Sequence, residues 1–142
     1  MKTMEKIARN SEGAAVIEAA FALPVLVMLM IGILQFAMIL QAGGAMRHSM
    51  GEGLRYAKVH QLADPSDPLQ VKALETKVEE ITKNALAGIN KNDIKSLTFT
   101  YGTEDGADFG RIDMQYEMDP FIPFAPVDAI KITKSRTVYL PS

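Results

Sequence analysis

The chain has 142 residues, enough for one domain or at most two, and its formal net charge of −2 argues against a nucleic-acid-binding surface. It contains no cysteine, which excludes a disulfide framework, a thiolate zinc site and a cysteine nucleophile. Apolar residues make up 48% of the chain but are unevenly spread, since no charged side chain occurs from residue 19 to residue 46. The composition therefore predicts a membrane-spanning segment joined to a small polar domain.

The first 13 residues form a short polar leader. Its basic residues, with the amino terminus, outweigh its two glutamates, and this positive bias favours a cytoplasmic N-terminus. The next segment, 14–40, has about 27 mostly apolar residues and would reach ~40 Å as a helix, more than a hydrocarbon core of ~30 Å. It predicts a transmembrane helix. Pro24 inside it removes one backbone hydrogen bond, which predicts a kink and packing partners.

Residues 41–62 carry apolar side chains at helical spacing with charges between them, and they predict an amphipathic stalk that continues the membrane helix. Gly43-Gly44 is a weak point near its start. Asp67 and Pro68 are then suited to the N-cap and first position of a second helix. An apolar stripe predicts that a sheet or helix covers this second helix. The stripe consists of Val71, Leu74, Val78, Ile81, Ala85 and Ile89.

Strand signals follow the second helix. Apolar and polar residues alternate over 96–101 and 111–118, which predicts two half-buried strands. The glycine- and aspartate-rich segment 102–110 between them is typical of a hairpin loop. A proline-rich segment, 119–129, is unsuited to an interior strand, and a last strand is predicted over 130–140.

These elements predict an α+β protein with a leader (1–13), a transmembrane helix (14–40), a stalk helix (41–62) and a small head (67–142). The head would contain one helix and an antiparallel sheet.

Glu18 is the unexpected residue of the apolar segment, because an unpaired carboxylate costs ~2.5–3.5 kcal/mol near the centre of a membrane helix. One interpretation is a tolerated glutamate that snorkels toward the headgroups. A second interpretation is a cleaved secretory signal, with Ala42 and Gly44 at the cut. The apolar core of such a signal, however, usually has only ~7–15 residues. A plain single-pass anchor explains the length but leaves Glu18 unexplained.

The stretch "SEGAAVIEAAFALP", residues 11–24, resembles the class III signal of type IV pilin-like proteins. The matching residues are Gly13 at the end of the leader, Ala14 as the new N-terminus and Glu18 as the fifth mature residue. The resemblance implies cleavage by a prepilin peptidase after Gly13. The freed amine of Ala14 would lie ~40° from Glu18 around the helix, so the two groups can pair, within a subunit or between staggered neighbours.

Within that class, the chain resembles the TadE-like minor pilins, or pseudopilins, of the Tad (Flp) tight-adherence pilus. The resemblance rests on the leader and anchor (9–38), on "GEGLRYAKV" (51–59) and on the strand and proline-rich crossing at 112–126. The family usually places an aromatic residue directly after the glutamate, whereas Phe21 is third after Glu18 here. TadE-like and TadF-like members are not separated by these residues.

The resemblance implies a non-enzymatic minor pilin of the inner (cytoplasmic) membrane, with a cytoplasmic N-terminus, a periplasmic head and a place in the pilus at the cell surface. The implied partners are the prepilin peptidase, the major Flp pilin, TadF-like or TadG-like minor pilins, the membrane platform, the assembly ATPase and membrane lipid. No nucleic acid and no cofactor is implied. Two hypotheses compete with it: an unprocessed membrane-anchored binding module, and an exported soluble binding protein whose signal is removed.

Enzymatic motifs are absent from the sequence. His48 and His60 are the only histidines and belong to no zinc-protease motif or nucleophile elbow, so we interpret them as solvated helix residues. Glu104, Asp105 and Asp108 could hold calcium, but they lack EF-hand spacing and a hairpin turn is the preferred interpretation. The 9 methionines are interpreted as packing residues rather than copper ligands. We therefore expect no catalytic residue and no metal site.

Overall fold

The computed structural model describes residues 2–60, 62, 64–121 and 128–140, with side chains from residue 13 onward. It confirms the α+β class, with a long apolar N-terminal helix, a second helix and a three-stranded antiparallel sheet. The elements are α1 (Lys2–Val59), α2 (Pro68–Ala85), a short 3-10 helix (Lys91–Asp93), β1 (Ile94–Glu104), β2 (Ala107–Met118) and β3 (Ile130–Tyr139).

Helix α1 is one continuous element of 58 residues. It passes through Pro24, where the sequence predicts a kink, and through Gly43-Gly44, which the sequence marks as a weak point. Proline costs ~3 kcal/mol and glycine ~1 kcal/mol inside a helix, and neighbouring groups that re-satisfy the backbone or pack against the helix can offset these costs. The predicted membrane helix and the predicted stalk therefore belong to the same helix.

The described chain divides into two compact units. The first holds α1 up to Ala37 together with Phe121, and the second runs from Met38 to Pro120 and from Asp128 onward. In the first unit, every side chain from Gly13 to Met30 is exposed. The hydrophobic core of the protein belongs to the second unit.

That core is built from residues of α1, α2 and the sheet, together with Leu86 just after α2. Helix α1 contributes Met46, Met50 and Leu54, each almost fully buried, at successive four-residue steps. The other core residues are Ala42, Ala57, Leu74, Val78, Leu86, Phe99, Ile112, Met114 and Tyr116. One face of the predicted stalk, 41–62, is thus buried in the same core as residues of the predicted head, 67–142. An apolar stripe shows that a helix has a partner, but not which element the partner is.

Helix α2 begins as the sequence predicts. The side chain of Asp67 accepts a hydrogen bond of 2.9 Å from the backbone N–H of Leu69, and Pro68 occupies the first turn. Leu74 and Val78 of the predicted stripe are buried, and the rest of the stripe is half-buried. Thr82 is also fully buried, with its hydroxyl donating to the carbonyl of Val78 at 2.7 Å.

The sheet has the order β1-β2-β3, and both pairings are antiparallel. Phe99 lies opposite Ile112, and the predicted inward-facing residues of both strands are buried or half-buried. The prediction of a nine-residue hairpin loop is wrong in length, because the strands extend to a turn at Asp105-Gly106 with φ values of 53° and 78°. A turn with two positive φ values matches the twist of paired strands, and Asp-Gly favours it strongly. Residues 122–127 of the proline-rich crossing lie outside the described residues.

Candidate membrane and assembly helix

The first unit presents a continuous apolar surface. Phe21, Leu29 and Phe36 are 76%, 60% and 61% exposed, and only 6% of the most apolar window of α1 is buried. Soluble proteins rarely expose apolar patches of this extent unless a partner or a membrane covers them. Helix α1 is long and apolar enough to cross a bilayer, which needs about 20 residues. This half of the helix therefore has the properties of a membrane anchor.

The three residues that the sequence singled out, Gly13, Ala14 and Glu18, lie in this helix with exposed side chains. Nothing lies within 4 Å of where a Cβ on Gly13 would stand. Ala14 and Glu18 are four residues apart on an α-helix, so they share a face. Among the residues whose side chains are described, none forms an ion pair with Glu18.

Glu18 lies at one end of an apolar groove on the helix surface. The groove is lined by residues three, four, seven, eight and eleven positions further on, which form one helical face. These residues are Phe21, Ala22, Val25, Leu26 and Leu29. An aromatic residue directly after Glu18 would point about 100° away, whereas Phe21 lies on the same face. The small Ala22 beside it allows a second helix to approach closely there.

Gln35 is a polar residue of this unit to which the sequence analysis gave no role. It is only 5% exposed, and its Oε1 accepts a hydrogen bond of 2.8 Å from the backbone N–H of Phe121. Its Nε2 is buried without an acceptor among the described residues. Gln35 is the single amide among residues 19–40, which is a signal in the sequence, but its partner Phe121 lies 86 residues away.

The two histidines do not converge on a site. His48 is exposed on α1, and His60 directly follows the helix with its ring stacked on Tyr56, at 3.9 Å between centroids. Its Nδ1 lies 3.2 Å from the carbonyl oxygen of Tyr56. Within the described part of the chain, no group of three histidine or acidic residues is placed to hold a metal ion.

The acidic residues near the hairpin have structural contacts. Asp105 forms the turn, and the Asp108 carboxylate accepts a hydrogen bond of 2.7 Å from the Thr103 hydroxyl. Hydrogen bonds from Thr103 and then Tyr101 lower the pKa of Asp108 below its ordinary value of 3.8. Burial, followed by the bond to Asp108, raises the pKa of Tyr101 to about 12.

Replacing Thr103 with valine is expected to raise the pKa of Asp108 back toward 3.8, because the largest contribution that favours the charged carboxylate is removed. A lowered carboxyl pKa stabilises the fold above 3.8, and this contribution is lost as the pH falls through the folded value. NMR titration of the side-chain carboxyl carbon measures the change directly. Thr100→Val, at an exposed position of the same strand, is the control and should leave the titration of Asp108 unchanged.

Comparison with known proteins bears on the helix rather than on the sheet. Residues 13–55 match the model of the family described as TadE-like protein. The chain carries a TadE-like segment. This confirms the family resemblance expected from the sequence. Searches of the curated proteins and of the solved structures each find no match.

The TadE-like segment begins at Gly13 and includes Ala14, Glu18 and the membrane-anchor half of α1. It continues into the part of the helix that is buried in the head, and it ends at Arg55. The match covers 43 of the 142 residues, all of them in α1, the helix that is long and apolar enough to cross a membrane.

Proposed function

We propose that this protein is a minor pilin of a Tad (Flp) pilus, cut by a prepilin peptidase after Gly13 and held by α1, first in the membrane and then in the pilus. One observation carries the proposal: within the TadE-like segment, Glu18 is exposed on an apolar helix face, one turn after Ala14. A lone carboxylate in such a place is costly in lipid, and a cationic partner relieves that cost. Cleavage after Gly13 supplies one, since it creates an α-ammonium group on Ala14.

Cleavage requires that the helix open at the cut. The backbone is helical from Lys2 through Gly13 and beyond, and a scissile bond in a helix is reached only after local unwinding. Glycine is a poor helix former, by about 1 kcal/mol relative to alanine, so Gly13 lowers the free energy of opening at that position. A glycine with open space around it also leaves room for the peptidase.

The pair of Glu18 with a neighbour's Ala14 amine would fix the axial register of adjacent subunits. An unpaired carboxylate is unfavourable in lipid, and an amine on another helix relieves that penalty only when the two helices are correctly staggered. The apolar groove from Phe21 to Leu29 is the surface against which that neighbouring helix would pack. The neighbour would be the major Flp pilin or another minor pilin, TadF-like or TadG-like.

In this proposal the leader (1–13) is cytoplasmic, the membrane helix (14–40) crosses the inner membrane, and the stalk (41–62) and head (67–142) are periplasmic. The assembly ATPase and the membrane platform extract the subunit from the membrane. The head then gives specificity toward other subunits at the cell surface. No step in this role needs a cofactor or a catalytic residue.

The N-terminus of the protein purified from its native membrane tests the proposal. Intact mass and N-terminal sequencing are expected to give Ala14. A chain that begins at Met1 is an unprocessed anchored binding module, and one that begins near Ala45 is an exported soluble protein. Either result would overturn the proposal.

A pair of glycine variants sharpens this test. Gly13→Val is expected to keep the leader, because a branched side chain at the cut blocks the peptidase. Gly32→Val is the control, since that position of the same helix also has open space around it. The control should yield the same N-terminus as the unaltered protein.

A further inference from the structure

Phe121 lies three residues beyond the end of β2, yet it groups with the anchor half of α1 rather than with the head. Its backbone N–H donates to the side chain of Gln35 at 2.8 Å. Its ring is 74% exposed, although phenylalanine is among the residues most often buried. The start of the β2–β3 connection is therefore fixed against the membrane helix with an aromatic side chain facing outward.

The position of Gln35 along α1 places this contact at a membrane boundary. From Ala14 to Gln35 the helix rises through 21 residues, or about 32 Å at 1.5 Å per residue. A hydrocarbon core is about 30 Å thick. If Ala14 lies at the cytoplasmic boundary, Gln35 and Phe121 lie at the opposite one, where apolar side chains such as phenylalanine insert between the headgroups and the acyl chains.

Two polar groups at this position, Gln35 Oε1 and the backbone N–H of Phe121, satisfy each other. A buried amide without a hydrogen bond is unfavourable, and so is a backbone N–H close to lipid where water is scarce. The bond from Phe121 gives its N–H an acceptor and gives Gln35 Oε1 a donor, whereas Gln35 Nε2 has no acceptor among the described residues. The sequence that follows is also suited to such a place, since residues 120–127 contain no charge and include three prolines, which have no N–H to satisfy.

We propose that Phe121 is a second membrane contact of this protein, inserted at the headgroup boundary of the leaflet opposite the leader. The partner is the surface of a phospholipid bilayer. The inference rests on the membrane anchoring of the proposed function. It adds a membrane contact that is distant in sequence from the anchor and must be released when the subunit leaves the membrane for the pilus.

The chain contains no tryptophan, so a single introduced tryptophan reports on one position. Full-length Phe121→Trp would be reconstituted in phosphatidylcholine–phosphatidylglycerol vesicles in which a part of the lipid is brominated. Bromine quenches tryptophan only at short range. We expect strong quenching and a blue-shifted emission for Trp at 121, close to the values for Phe36→Trp, which lies beside Gln35 on the anchor helix.

Tyr139→Trp is the matched control, because Tyr139 is an aromatic residue that is 62% exposed at the other end of the sheet. Tyr139 pairs with Phe109 at one end of the β2–β3 ladder, and Ile130 pairs with Met118, three residues before Phe121 in sequence, at the other. These two ends are about 30 Å apart at ~3.4 Å per residue. This control should not be quenched. Equal quenching at 121 and 139 would overturn the proposal, since the head as a whole would then lie on the bilayer.

The other outcomes separate this inference from the anchor. Quenching at 36 without quenching at 121 overturns the second contact and leaves the anchor intact, whereas no quenching at either position overturns both. Gln35→Leu in the Phe121→Trp protein removes the acceptor. It should abolish most of the quenching at 121, while the same change in the Phe36→Trp protein leaves quenching at 36 unaltered.

Discussion

Replacing Gly53 with alanine is expected to destabilise the head by about 2–3 kcal/mol. A Cβ at Gly53 would overlap the hydroxyl of Thr82 on α2 and would stand 3.0 Å from Cδ1 of Ile112 on β2. Thr82 can move away only by breaking its buried hydrogen bond to the carbonyl of Val78. The helical preference for alanine over glycine, about 1 kcal/mol, offsets part of this loss but does not reverse it. Urea denaturation of the full chain in detergent micelles, followed by far-ultraviolet circular dichroism, measures the change.

Gly44→Ala is the matched control, on the same helix with nothing within 4 Å of the new Cβ. Only helix propensity acts there, so the control should gain about 0.5–1 kcal/mol. Adding Thr82→Ala to Gly53→Ala should recover part of the loss, because the two residues are in contact and their effects are not additive. If Gly53→Ala proves as stable as Gly44→Ala, the close approach of α1 and α2 is wrong.

The close contact at Gly53 gives a physical reason for the small-residue pattern "GLRYA" in this part of the chain. Gly53 and Ala57 are one helical turn apart, and both are buried where α1 meets the rest of the head. Tyr56, on another side of the helix, stacks on His60 instead. From the sequence alone the pattern supported a family resemblance, while its packing role depended on elements that come later in the chain.

Local signals predicted the elements of this fold well. The cap at Asp67 involves residues within two positions of each other, and strand alternation is a property of each strand alone, so neither needs knowledge of distant contacts. The predicted length of the hairpin loop is wrong because glycine and aspartate indicate a turn but do not show how many residues it needs. Two of these residues, Asp105 and Gly106, are enough to reverse the chain.

Contacts between distant residues could not be predicted in the same way. The burial of Thr82 against α1 and the bond from Phe121 to Gln35 each join segments separated by many residues, and no spacing rule connects them. Glu18 was found because a carboxylate in an apolar run is costly wherever it lies. Its proposed partner is not visible in an uncleaved single chain, since cleavage and assembly would create it.

Replacing Glu18 with alanine is expected to lower the amount of this subunit in purified pili at least about tenfold, which corresponds to a loss of ~1.4 kcal/mol at the assembly step. The expected cause is loss of the pair with the Ala14 amine of a neighbouring subunit. The amount in the membrane should stay the same or rise, because removing a carboxylate from an apolar helix favours insertion by up to about 3 kcal/mol. Quantitative mass spectrometry of the membrane and pilus fractions measures both amounts.

The test is specific to pairing because the amount of the subunit in pili falls while its amount in the membrane does not. A variant that is unfolded or not inserted would be lost from both fractions, whereas loss of the pair depletes only the pilus. Glu18→Gln should behave as Glu18→Ala does, since the amide keeps the shape of the side chain but not its charge. Glu12→Ala is the control, because in the proposed processing that glutamate leaves with the leader. Normal incorporation of Glu18→Ala after a correct cut would mean that the carboxylate has no role in assembly, and the apolar groove alone would then have to set the register.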